Sequence, residues 1–133
     1  MLSRNRRNLP TSVTLQRLLR ALREEASSLD QLLWRMREQR TAYVQIRPSS
    51  LTESADALAV DAQRVVLLGE HRNSAHLALL DELGLPKTTA LRQLEESLAP
   101  PEARELCGLR KSLQTKARAA QIEQRFAERL LAM

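Results

Sequence analysis

Few residues in this chain could carry out chemistry. There is one cysteine, Cys107, and two histidines, His71 and His76. The histidines lie five positions apart, so on a helix they point to different faces and cannot chelate one metal as an i, i+4 pair would. A single cysteine cannot close an internal disulfide. With no accompanying thiol-protease motif, Cys107 reads as a small apolar helix residue. Glu24–Glu25, Asp81–Glu82 and Glu95–Glu96 are adjacent carboxylates. Helix neighbours at i, i+1 diverge, so these pairs read as solvated faces. No G-x-S-x-G, Gly-rich phosphate loop or H-E-x-x-H occurs. The expectation is a protein with no catalytic, cofactor or metal site: not an enzyme.

What remains is apolar surface arranged to bind. Near the C-terminus, Ile122, Phe126 and Leu130 are spaced by four and form one helical ridge. Ala120, Ala127 and Leu131 lie on a second ridge that continues an inner seam from Leu113 and Ala117. A three-helix bundle needs only one ridge for its core, which leaves the other for a partner; the alternative is that the first helix covers both. Ile122, Phe126, Leu130 and Leu131 are therefore the candidate partner-binding residues. Trp34 lies beside Leu33 but off the main seam. Its expected place is the bundle flank, the alternative being an aromatic anchor for a partner.

The elements that position these residues follow from periodicity. Leu15, Leu19, Leu22, Ala26, Leu29, Leu33, Met36 and Tyr43 step by 4, 3, 4, 3, 4, 3 and 7, with Arg40 in the skipped place. This is an a/d seam, predicting a helix over 12–46. Leu18 and Leu32 widen the stripe, which suits a bundle better than a two-stranded coil. Pro48 is expected to stop it, and Ser50 and Glu53 read as a capping box opening a second helix over 51–83. Gly69, His71, Arg72 and Asn73 make the middle of that helix polar. Gly84 supplies a left-handed cap and Pro86 follows. A short helix is expected over 88–98, capped by Thr88 or Thr89, and a last helix over 101–132. The predicted fold is all-α: an elongated antiparallel bundle of three long helices plus one short connecting helix. Leu19, Leu22, Leu29, Leu33, Leu58, Val65, Leu79, Leu109 and Leu113 are its predicted core.

Composition agrees. Only Trp34, Tyr43 and Phe126 are aromatic, and 3 Gly and 5 Pro among 133 residues are too few for the turns of a β-sandwich. No apolar run is long enough to span a membrane. Residues 1–11 read as a basic disordered tail, and 12–133 as a single helical-bundle domain. The arginine-rich, acid-free stretch from Met1 to Arg23 superficially suits a transit peptide, but the leucine seam from Leu15 runs on unbroken past Arg23, so cleavage would cut a structural helix.

Charge is partitioned along the chain. Residues 1–47 hold 10 basic and 4 acidic groups, 48–99 hold 4 and 8, and 100–133 hold 7 and 4. An acidic middle helix between two basic ones predicts helix 2 as the shared neighbour. The overall +5 charge and the Arg4–Arg7 cluster also admit nucleic-acid binding. The acidic helix and the lack of aromatics among the basic residues count against it.

The order of elements and the stretch from Leu83 to Leu113, LGLP…LRQLEESLAPPEARELCGLRKSL, resemble the FlgN-like flagellar export chaperones. So does the following Gln124-x-x-Ala127-x-x-Leu130-Leu131, although Gln124 and Ala127 stand where family members often carry asparagine. The resemblance implies a cytoplasmic, non-enzymatic chaperone without cofactors. Its partners would be hook–filament junction proteins as cargo and the type III export apparatus. Cargo capture would fall in the C-terminal region. The competing expectations are a self-associating coiled-coil scaffold and a small basic nucleic-acid-binding regulator.

Overall fold

The structure is a computed structural model that describes residues 12–45 and 48–132, without the side chains at 43–44, 48–54 and 130–132. The basic tail and the side chains of Leu130 and Leu131 lie outside the described residues. The elements are α1 (Val13–Val44), α2 (Pro48–Leu83), α3 (Leu91–Glu95) and α4 (Pro100–Ala132). There is no strand among the described residues. The protein is all-helical, with three long helices and one short.

Local chemistry explains the ends. Ser12 opens α1: its Oγ accepts the Leu15 N–H at 3.3 Å and donates to the Glu82 carboxylate at 2.9 Å. One hydroxyl thus caps a helix and ties its start to the end of α2. α2 begins at Pro48 rather than at 51, so Ser50 is already a helical residue and not the N-cap that the Ser50–Glu53 capping box requires. Proline has a fixed φ and no N–H to leave unpaired, so it fits a first helical turn. At the other end Gly84 takes φ 69°. Its N–H donates to the Asp81 carbonyl at 3.1 Å, and the Leu85 N–H donates to the Leu80 carbonyl at 2.8 Å. These two bonds form a Schellman motif, which needs the left-handed residue that glycine supplies.

α3 is shorter than the expected 88–98, and its cap is Ala90 rather than Thr88 or Thr89. The Thr89 N–H is committed to a turn with the Pro86 carbonyl at 3.0 Å, while the Ala90 N–H donates to Gln93 Oε1 at 2.9 Å. The Arg110 Nε donates to Glu95 at 2.6 Å and fastens α3 to α4. That hydrogen bond also pushes the Arg110 pKa further up.

Ser12–Glu82, Glu25–Arg72 and Arg35–Asp61 run in opposite senses along α1 and α2. Arg23–Glu105, Asp30–Lys116 and Arg40–Glu123 run in the same sense along α1 and α4. α1 packs against both long helices, whereas α2 and α4 scarcely approach each other. This corrects the expectation that the acidic α2 is the shared neighbour. Apolar width decided the arrangement, not net charge. Leu15, Leu18, Leu19, Leu22, Ala26, Leu29, Leu32 and Leu33 are all buried, a stripe broad enough to serve two partners. Burying a leucine gains about 1.5–3 kcal/mol, against about 0–1 for an exposed ion pair.

The same arrangement corrects part of the predicted core. Leu19, Leu22, Leu29, Leu33 and Leu79 are buried, but Leu58, Val65, Leu109 and Leu113 are only half-buried. With α2 and α4 held apart by α1, their inner edges are not sealed against each other.

Candidate partner-binding surface

The C-terminal half of α4 has two unlike faces. Ala117 and Ala120 pack into a core with Leu29 and Leu32. Their small side chains fill the stretch that lacks large apolar groups, where α4 meets α1. On the outer face Ile122 is 60% exposed and Phe126 is 44% exposed. Ala127 is half-buried.

Residues that sequence reasoning missed fix the seam beneath this outer ridge. Glu123 is buried, with its Oε1 3.4 Å from Arg37 and 3.1 Å from Arg40. The Arg40 guanidinium also lies 5.0 Å from the centre of the Phe126 ring. One carboxylate thus gathers two guanidiniums from α1, and one of those holds an aromatic ring by a cation–π contact. A signal was present: Arg40 fills the place in the α1 seam where an apolar residue is due. Trp34, one turn before Arg37, is 55% exposed with the Arg35 guanidinium 4.9 Å from its ring centre. It therefore offers a solvent-facing aromatic surface.

Elsewhere the polar groups serve the scaffold. Glu25 is buried on α1 and receives Arg72 of α2 at 2.5 Å. Gly69 makes room for this pair: a Cβ there would sit 3.3 Å from Glu25 Oε2. The polar middle of α2 is thus a buried contact rather than a weak point, and the helix is continuous through it. His76 is half-buried, and burial lowers its pKa; Arg72 lowers it further, while a hydrogen bond with the Thr89 backbone opposes the shift. Cys107 is half-buried, its sulfur 3.7 Å from Arg110 Nη2.

Shallow grooves follow the α1/α2 seam, with His71, Arg17 and Arg20 along one and Gln31 and Arg64 along the next. Among the described residues no group of three or more His, Cys, Asp or Glu is placed to hold a metal ion. No described helix is long and apolar enough to cross a membrane. No protein-family model, curated protein or solved structure matches the chain.

Proposed function

We propose that this protein is a non-enzymatic export chaperone of the FlgN-like kind, working in the cytoplasm. In this reading an elongated antiparallel bundle captures an amphipathic helix of a hook–filament junction protein and hands it to the type III export apparatus. The capture surface is the ridge of Ile122 and Phe126, whose spacing Leu130 continues, with Leu131 joining it from the neighbouring ridge. One observation carries the reading. The inner face of α4 is spent on the core through Ala117 and Ala120, while the next ridge leaves an isoleucine and a phenylalanine in solvent. Large apolar side chains aligned along one helix face are the usual means of gripping another helix. Cargo helices that are unstructured alone lose entropy on binding, which keeps release feasible.

The test is titration of purified cargo segments into the protein. Phe126→Ala should weaken capture by more than tenfold, or about 1.4 kcal/mol. Undiminished capture would remove the ridge from the site. A self-associating scaffold is the second reading, favoured by Val60, Val66 and Leu67, which are also exposed on α2. Light scattering of the isolated chain separates the two: a monomer that gains mass only with cargo supports the chaperone.

A further inference from the structure

The ridge proposed for cargo has a charged frame, which specifies the partner further provided that the ridge is the capture surface. On α4, Arg118 precedes Ile122 by four residues, Arg125 comes three after it, and Arg129 comes three after Phe126. These spacings put Arg125 and Arg129 along one side of the ridge and Arg118 at its N-terminal end, and all three are exposed. On the other side stand Arg37 and Arg40 of α1. Among the described residues the carboxylate within this frame is Glu123, and both α1 arginines already engage it. Glu128 lies beyond the arginine row, three residues after Arg125, where it accepts a hydrogen bond from Gln124. An apolar ridge is thus bracketed by five guanidiniums and one neutralised acid.

We infer that the Ile122–Phe126 ridge takes an amphipathic helix whose apolar stripe is flanked by Asp or Glu on both sides. Isoleucine and phenylalanine would meet the stripe, and the two arginine rows would meet its carboxylates. Arg125 and Arg129 are placed to give forked hydrogen bonds to carboxylates one turn apart. The same frame rejects a basic amphipathic helix, since its charges would face the guanidiniums at close range. A helix is favoured over a lipid surface because the exposed ridge is one residue wide. Insertion into a bilayer interface calls for a broad apolar face.

Three labelled peptides of about 18 residues test this, five turns each. All share one leucine stripe, and they differ only in flanking Glu, Gln or Lys. Fluorescence anisotropy with the full chain should rank Glu over Gln over Lys, with about tenfold between the first two. The Glu peptide should lose affinity as salt rises. The double variant Arg125→Glu/Arg129→Glu changes exposed positions only, and circular dichroism checks its helicity. It should reverse the ranking and favour the Lys peptide. Equal binding of all three peptides overturns the charge inference while leaving the ridge as a helix-binding site. Binding by none removes both. Capture by anionic phosphatidylserine vesicles or a DNA duplex, uncompeted by the Glu peptide, overturns the inference in favour of that surface.

Discussion

The two ends of the bundle are built differently. At one end Leu15, Leu18, Leu19 and Leu22 of α1 close against Leu79 and Leu80 of α2, Leu94 of α3 and Leu106 of α4. Four elements converge there, and the Schellman turn carries Leu85 back over the same cluster. At the other end Leu29 and Leu32 meet Ala120, with Leu58, Val65, Leu113 and Ala117 only partly covered. No short helix lies over that end among the described residues, and ion pairs do part of the joining: Arg35 with Asp61, and Arg37 and Arg40 with Glu123. The closed end has the features of a folding anchor. The open end has the half-covered apolar surface that a binding region requires.

The largest expected effect breaks the closed end. Leu18 is fully buried where these elements meet. Leu18→Ala should cost about 2–5 kcal/mol in urea denaturation, because the removed methyl groups leave a cavity that four elements cannot all collapse into. Leu58→Ala at the open end should cost about 1–2 kcal/mol, since part of that side chain already faces water. Equal costs at the two sites would erase the contrast.

Next in size is the buried pair between the ends. Glu25→Gln keeps the shape but leaves Arg72 without its counter-charge. The expected loss is about 1.5–3 kcal/mol, the range of a hydrogen bond to a charged group. A double-mutant cycle with Arg72→Met checks that the loss belongs to the pair.

This pair marks the limit of what the sequence revealed. The seam from Leu15 to Leu33 was legible because leucine at every third and fourth position leaves one solution. So was the end of α2, because Gly84 and Pro86 permit little else. Glu25 and Glu123 were not legible. Each sits among polar residues, and nothing local distinguishes a carboxylate that meets an arginine far along the chain from one that meets water. Summed helix charges misled for the same reason. Arg23, Arg37 and Arg40 of the basic α1 pair with acids of α4, itself net basic. Position, not total charge, chose those partners. The exposed ridge was legible as spacing, whereas the arginine frame needed α1 and α4 side by side.

A smaller effect should accompany a change of pH at the closed end. His76 lies beneath the α2–α3 turn with its pKa lowered, first by burial and then by Arg72. The folded protein therefore prefers the neutral ring. As pH falls below the ordinary histidine value of about 6.5, the unfolded chain takes up its proton first, and stability is lost until the folded ring is protonated too. Denaturation midpoints of the wild type should drop more between pH 7 and pH 5 than those of His76→Gln. Parallel profiles would show that the ring makes no contribution to the pH dependence.

The smallest expected effect on stability is at the ridge, and it sharpens the comparison most. A fully buried phenylalanine cut to alanine costs about 3–5 kcal/mol. Phe126 is 44% exposed, and its defined contact is with the Arg40 guanidinium. A cation–π contact at an exposed site gives about 0.5–1 kcal/mol. Glu123 still holds Arg40 when the ring is gone, so the guanidinium is not stranded. Phe126→Ala should therefore lower stability by about 1 kcal/mol or less, measured by urea denaturation without any partner. A loss of about 3 kcal/mol or more would place Phe126 in the core and make the open end a second anchor. A small loss together with impaired partner capture would separate folding from binding along α4, with the division falling between Ala120 and Ile122.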